Sequence, residues 1–409
     1  MSMLTTARCR IVQAFARLGK RTHPVRKQVF ETGAGALFSV GQLLRDRKLK
    51  KPMVILDAEP DEMKNRLLQA LDESDVSYVV WDTLPQQPTA NDGELIRLSW
   101  QGEKCDCFVV MGDGPILDAA KAAAARCARR GRSIMNMVGR RRIGSVRMPT
   151  VIAIPTVAGT GAESLAAAII ADDRDTRFVI EDEALTPAVA VLDPELLSAV
   201  PRQRVADAGM NGLCLAIEAY LAAPHTDQKT RSMASEAAAL FLSNLEECWN
   251  HGGSVKAREN LLAASRMAGN AASGVGYGYV RALCRGVQTV CGVGFGLACG
   301  ALLPTILEKY GNSAVNDLAA LASAAGVAAD GTRSERAAAL IARIRGVVFR
   351  MGLSDTLDGV TGDEITEIAD LAAAQANPRS VSPVVWTARQ CAQVLLAACG
   401  RQESGKKEE

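Results

Sequence analysis

Histidine is the scarcest chemistry-bearing residue. His23, His225 and His251 are the only three in 409 residues, and no two lie close enough in sequence to form a local metal motif. A histidine-based metal centre is therefore not expected. A surplus of one charge is also lacking: 47 basic against 45 acidic residues leave a net charge of +2, which gives no global electrostatic case for nucleic acid or an anionic membrane as partner. No apolar run reaches the roughly 20 residues needed to span a bilayer. The N-terminus lacks the apolar region and cleavage site of a secretory signal, so a cytoplasmic location is the expectation. The eleven cysteines are scattered, and the closest pair, Cys105 and Cys107, falls in an apolar strand-like run. Neither a disulfide framework nor a zinc knuckle is suggested; reduced thiols are.

What is present is a composition of 48% hydrophobic and 22% charged residues, that of a soluble globular protein long enough for two domains. Residues 1–27 carry Arg8, Arg10, Arg17, Lys20, Arg21, Arg26 and Lys27. This basic extension reads as a solvated helix packed by Ile11, Ala14 and Phe15 rather than as a membrane-surface helix or presequence. Strands are predicted at Val54–Asp57, Tyr78–Trp81, Cys107–Met111, Thr150–Pro155 and Val189–Asp193, with helices at Asp61–Leu71 and Asp118–Arg130. Strands alternating with helices imply an open parallel sheet that takes ligands beyond its carboxyl ends. From about Pro201 the chain turns Ala- and Leu-rich with helical periodicity. The expected organisation is a basic extension (1–27), an α/β dinucleotide-binding domain (28–199), an all-helical domain (200–398) and a polar tail (399–409). Arg140–Arg142 with Arg147 reads as a solvated basic loop.

The stretch Ala208-Gly-Met-Asn-Gly-Leu-Cys-Leu-Ala-Ile-Glu-Ala-Tyr220 places Asn211 and Leu215 four apart on one helical face, the spacing at which a helix holds two ligands on one ion. Leucine cannot bind a metal. The stretch nevertheless resembles the ligand helix of the iron-containing (group III metal-dependent) alcohol dehydrogenases, which normally carries Asp and His at these two places. The resemblance covers roughly residues 28–395, with Leu192-Asp-Pro-Glu-Leu196, Ala257-Arg-Glu-Asn-Leu261, Ala268-Gly269, Ala301-Leu-Leu-Pro304 and Asn377-Pro-Arg379 in the family's order. It implies a dehydroquinate synthase-like fold: a nucleotide-binding α/β domain with a parallel sheet, followed by an all-α domain.

The resemblance also implies site residues. The family's Gly-Gly-Gly-Ser turn stands here as Gly112-Asp-Gly-Pro115, followed by Asp118 and Lys121. The second cofactor loop keeps Thr156, Gly159, Thr160 and Gly161, and Asp57 takes the place of the acidic residue that contacts the adenosine ribose. These are the candidate cofactor-binding residues, with NAD favoured over NADP. Pro115 removes a donor and Asp113 adds a like charge near a phosphate, so weak NAD binding is expected. The four positions corresponding to metal ligands are Asn211, Leu215, Arg281 and Phe295, and the substrate-side histidine is Arg285. In the family the metal is a Lewis acid that polarises the alcohol or carbonyl oxygen. An amide, two apolar groups and guanidiniums that never deprotonate cannot replace that set, and no metal is expected. A replacement thiolate site from Cys214, Cys284, Cys291 and Cys299 fits no zinc spacing.

The resulting expectation is a catalytically degenerate relative, a pseudoenzyme with residual nucleotide binding, acting as a homo-oligomer or paired with an active relative. Two alternatives follow from the same residues. One is a divergent NAD-dependent alcohol or aldehyde oxidoreductase in which Arg281 and Arg285 stand in for the metal. The other is an anion-binding protein without redox chemistry.

Overall fold

The computed structural model describes residues 7–13, 27–57, 61–222, 226–273, 275, 278–379 and 382–400. The chain divides into two compact units. One comprises the described residues of 24–205 and 251–274, and the other those of 1–23, 206–250 and 275–409. The first is called here the sheet unit and the second the helical unit.

The sheet unit is built on β1 (Val29–Thr32), β2 (Pro52–Leu56), β3 (Val79–Trp81), β4 (Cys107–Gly112), β6 (Thr150–Pro155) and β9 (Val189–Leu192), all parallel, in the order β1-β9-β6-β4-β2-β3. The central strands β2 and β4 are buried along their whole length, as near-continuous apolar runs must be when helices cover both faces of a parallel sheet. A small second sheet has β5 (Gly139–Arg140) and β7 (Ala167–Ala171) flanking β8 (Arg177–Glu181). Between strands lie α2 (Val40–Asp46), α3 (Asp61–Asp72), α4 (Ala90–Gly102) and α5 (Gly114–Ala128). The alanines at 119, 120 and 122–125 in α5 are fully buried under the sheet; having no atoms beyond Cβ, they let helix and strands approach closely.

All five predicted strands and both helices are present. The second helix begins four residues earlier than expected, because Asp113 caps it and Pro115 lies in its first turn, where a missing N–H costs nothing.

Helices α6 (Arg202–Leu221), α7 (Gln228–His251) and α8 (Val255–Ala272) follow. The contiguous helical domain expected at 200–398 is interrupted by α8, which belongs to the sheet unit. Arg258 Nε donates to the Pro194 carbonyl (2.8 Å) and Ser265 Oγ to Glu163 Oε1 (2.9 Å). The helical unit adds α9 (Tyr279–Cys291), α10 (Phe295–Tyr310), α11 (Val315–Ala324), α12 (Arg333–Arg350), α13 (Gly362–Ala376) and α14 (Ala388–Ala398). The starts of α12, α13 and α14 are written locally, as reciprocal capping boxes from Thr332 with Glu335, Thr361 with Glu364, and Thr387 with Gln390.

Residues 7–13 form a helix, here α1, in the helical unit. Its buried face differs from the expected one: Cys9 and Gln13 are buried, while Ile11 is 56% exposed. The reason is polar docking, since Arg10 Nη2 donates to the Pro383 carbonyl (3.0 Å) and Gln13 Nε2 to that of Pro378 (3.3 Å). Ala14 and Phe15 lie outside the described residues. No helix among those described is long and apolar enough to cross a membrane.

Candidate functional site

In the sheet unit, strand register brings three carboxyl ends together. Leu56 pairs with Met111 and Gly112 with Pro155, while Asp57 N donates to the Met111 carbonyl (2.9 Å) and Thr156 N to that of Gly112 (3.1 Å). Asp57, the Gly112–Gly114 turn and Thr156 are thus neighbours by register. The turn accepts only small residues: a Cβ on Gly114 would come within 2.8 Å of the Thr160 side chain, and one on Gly112 within 2.8 Å of Ile116. Asp113 is the N-cap of α5, its carboxylate facing Ile116 N at 3.5 Å. The positive end of the helix, which otherwise attracts a phosphate, is capped from within by an anion of the chain itself.

A residue the sequence reading missed completes this cluster. One nitrogen, Arg204 Nη2 in the first turn of α6, lies 3.0 Å from Asp57 Oδ2 and 3.0 Å from Asp113 Oδ2. Burial, and then the neighbouring Asp57 charge, push the Asp113 carboxyl up to about 6. Two carboxylates one strand apart require a cation between them, and the arginines of Pro201-Arg-Gln-Arg204 were the available source.

Asp118 and Lys121 lie beneath this surface as a buried strut. The Lys121 ammonium has no exposed surface and donates to Asp118 Oδ1 (2.9 Å), Ala162 O (3.0 Å) and Leu165 O (3.2 Å). Asp118 Oδ2 in turn accepts from Ile169 N (3.0 Å). The pair shapes the second loop from inside. Gly159 and Gly161 in that loop have positive φ (146° and 66°), and Gly161 N donates to Ser265 Oγ (3.2 Å). Thr156 Oγ1, Ser164 Oγ and Glu163 Oε2 are buried with no hydrogen-bond partner, and burial raises the Glu163 carboxyl.

In the helical unit the four ligand-equivalent positions fall on α6, α9 and α10. Arg281 is 4% exposed, and its Nε donates to Glu218 Oε2 at 2.5 Å. Glu218 Oε1 accepts from Val280 N (2.8 Å) and Arg281 N (3.3 Å), so this carboxylate also caps α9 at the place where Gly278 supplies no side chain. Glycine is needed there, because a Cβ would lie 2.2 Å from Glu218 Oε1. Arg285, 5% exposed, holds its guanidinium 5.3 Å from the centre of the Phe295 ring, a cation–π arrangement. Leu215 is 2% and Phe295 8% exposed, while Asn211 is partly buried. Beside the ion pair is a pocket of about 10 Å³ lined by Glu218, Gly278, Arg281, Tyr310, Ser382 and Pro383, room for about one water.

The start of α10 is fixed by Asp207, whose Oδ1 accepts from Gly296 N (2.8 Å). A Cβ on Gly296 would fall 1.9 Å from the Asp207 carbonyl oxygen, whereas one on Gly300 meets nothing closer than 3.6 Å. Gly296→Ala is therefore expected to lower stability by about 1–3 kcal/mol through forced backbone movement, and Gly300→Ala to be neutral or slightly stabilising. Urea unfolding of the two variants checks this; equal midpoints would refute the close-approach argument.

The residues at the ligand positions do not fit a metal. Among the described residues no group of three or more His, Cys, Asp or Glu side chains is placed to hold one, and Cys214, Cys284 and Cys299 are buried thiols outside any disulfide. Tyr279 ties the Asn377-Pro-Arg379 signature to the core: its hydroxyl donates to Asn377 Oδ1 (2.8 Å) and accepts from Trp386 N (2.6 Å).

An open parallel sheet with a glycine turn at its carboxyl edge, together with a helical unit in which three helices carry the ligand positions, is the architecture of an α/β dehydrogenase with an appended helical domain. Comparison with known proteins makes the class specific. Residues 27–194 match the profile of the iron-containing alcohol dehydrogenases and residues 205–399 that of the C-terminal region of the Fe-containing alcohol dehydrogenase family. The chain belongs to the iron-containing alcohol dehydrogenase family. It is 33% identical over 282 residues to "Probable alcohol dehydrogenase EutG" of Escherichia coli (68% of this chain, 70% of that protein). It is 30% identical over 279 residues to the NAD-dependent methanol dehydrogenase of Bacillus methanolicus (67% and 72%). Among solved structures, a 1,3-propanediol oxidoreductase superposes with a TM-score of 0.84 at 24% identity, covering 90% of this chain and 97% of the other. The sulfoacetaldehyde reductase of Bifidobacterium kashiwanohense, in complex with NAD+, gives 0.81 at 21% identity (93% and 99%).

Proposed function

We propose that this chain is a catalytically degenerate family member, a pseudoenzyme that keeps the scaffold and a weak affinity for NAD and acts through association, with copies of itself or with an active relative. One observation carries the reading. At a position where the family places a metal ligand, Arg281 is buried and committed through Nε to Glu218. A guanidinium there is a donor with no lone pair to offer an ion, and its pairing with Glu218 fills the ligand position with a group that cannot coordinate. The neighbouring Arg285 is packed on Phe295 at another ligand position, so the second arginine also has a structural partner. The NAD assignment is supported by the strand-end position of Asp57 and by the NAD+ in the sulfoacetaldehyde reductase structure.

The test is metal content by elemental analysis together with NADH formation on short primary alcohols. The expected outcome is no stoichiometric iron or zinc. Turnover is expected at least about a thousandfold below a metal-bearing relative, since several kcal/mol of Lewis-acid stabilisation is missing. One equivalent of tightly held metal, lost on mutating Asn211, would refute the reading. Robust metal-independent turnover abolished by Arg285→Ala would instead establish the arginine-based oxidoreductase.

A further inference from the structure

Arg204 lies in neither the family motifs nor the metal positions, yet it links the two acidic groups at the mouth of the strand-end site. Its side chain is 34% exposed, against 6% for Asp57 and 21% for Asp113. Solvent and solutes therefore reach the guanidinium while the carboxylates stay partly shielded. One nitrogen serves both carboxylates, so the cluster of one cation and two anions carries a net negative charge when all three are ionised. Such a cluster opposes an incoming anion at the one point where the strand ends, the α5 N-terminus and the unpartnered Thr156 Oγ1, only 6% exposed, would otherwise receive it.

We propose that Asp57, Arg204 and Asp113 form a proton-sensitive latch on this site: when Asp113 takes up a proton, Arg204 is released from it and becomes a donor to an anion, in the first instance the pyrophosphate of a nicotinamide dinucleotide. The proposal rests on the nucleotide-binding reading above and adds its regulation. Asp113 is the member whose carboxyl is raised by its surroundings. The charged groups facing it are Asp57 at the end of β2 and Arg204 in α6, and its own helix contributes the Ile116 N–H. Burial and the Asp57 charge favour its protonated form, so its proton is gained near pH 6, where free aspartate is fully ionised. The sign follows: above that pH the cluster is net negative and closed, and below it the cluster is neutral with a guanidinium free to bind. Asp57 Oδ2 lies 3.0 Å from the same Arg204 nitrogen and marks where the guanidinium stays when Asp113 lets go.

The experiment is calorimetry of the full chain with NAD and, separately, with sulfate, whose charge is constant across the range, at about pH 5 and about pH 8. The variants are Asp113→Asn, which caps a helix as well as aspartate does and so preserves α5, and Arg204→Leu. Wild type is expected to bind both probes on the order of tenfold more tightly at the lower pH. Asp113→Asn should bind at the higher pH as wild type does at the lower, with no pH dependence, and Arg204→Leu should bind weakly at both. If sulfate follows this pattern while NAD binds nowhere, the latch stands and the nucleotide reading falls. Sulfate binding that is absent throughout, independent of pH in wild type, or undiminished in Arg204→Leu would overturn the latch, whatever NAD does.

Discussion

Glu218→Ala is expected to destabilise the protein by about 3–5 kcal/mol, the usual consequence of removing one partner of a buried ion pair. Both side chains of the Glu218–Arg281 pair are 5% exposed, so loss of the carboxylate leaves a guanidinium shielded from bulk water. The same carboxylate accepts from Val280 N and Arg281 N, and α9, whose N-cap Gly278 has no side chain, would lose the cap that Glu218 supplies, worth about 1 kcal/mol more. The single variant thus strikes a charge and a helix end together. A double variant, Glu218→Leu with Arg281→Leu, removes the charges as a pair and should recover most of the loss, because an apolar replacement of similar volume is often neutral. Thermal unfolding separates the cases: a fall on the order of 10 °C for the single variant, mostly restored in the double. If Glu218→Ala unfolds with wild type, the pair does not hold α6 to α9, and the structural explanation for Arg281 at a ligand position fails with it.

The fold is legible in the sequence because its signals are periodic and local. The buried runs of β2 and β4 read as strands of a parallel sheet, and the motifs follow one another along the chain in the family's order. The start of α5 is misplaced when Asp113 is weighed only as a charge near a phosphate and not as a helix cap. The grouping of α8 with the sheet unit is not legible at all, since it depends on contacts such as Ser265 with Glu163 that are 102 residues apart in sequence. At the site, side-chain identities tell which ligands are missing but not where the substituted arginines turn. Glu218, a carboxylate in the apolar run Ala216-Ile-Glu-Ala-Tyr220, is the one sequence clue to Arg281's partner, because a buried acid in a helix requires a cation. Asp118 and Lys121, carried over as cofactor-binding positions, are placed by the structure inside the unit as a strut under the second loop.

Restoring the ligand set should give a protein that retains one equivalent of metal through dialysis. The variant is Asn211→Asp, Leu215→His, Arg281→His and Phe295→His. Its rationale is that the three helices are pinned on either side of these positions. Asp207 holds Gly296 N at one end (2.8 Å), and Glu218 holds the α9 start at the other (2.8 Å to Val280 N). Residues 211 and 215 continue at intervals of four from residue 207 along the same stripe of α6, between the pins. With both pins in place, the four substituted side chains are expected to converge on a common centre. Two of the substitutions disturb present contacts: Arg281→His takes the guanidinium from Glu218, and Phe295→His removes the ring against which Arg285 lies. Arg285→His should accordingly be included, which removes a second repelling cation. Metal content and circular dichroism on the series from one to five substitutions decide the matter. Stepwise gain of zinc or iron, complete only when all four ligands are present, is the expected course. A variant that keeps native helicity, with Asp207 and Glu218 intact, and still holds no metal would show that the helices themselves have moved apart from a ligand geometry. In a metal-loaded variant, further repair of the turn by Asp113→Gly and Pro115→Ser should allow slow NADH formation from a primary alcohol, because both the electrophile and the pyrophosphate donors would then be back in place.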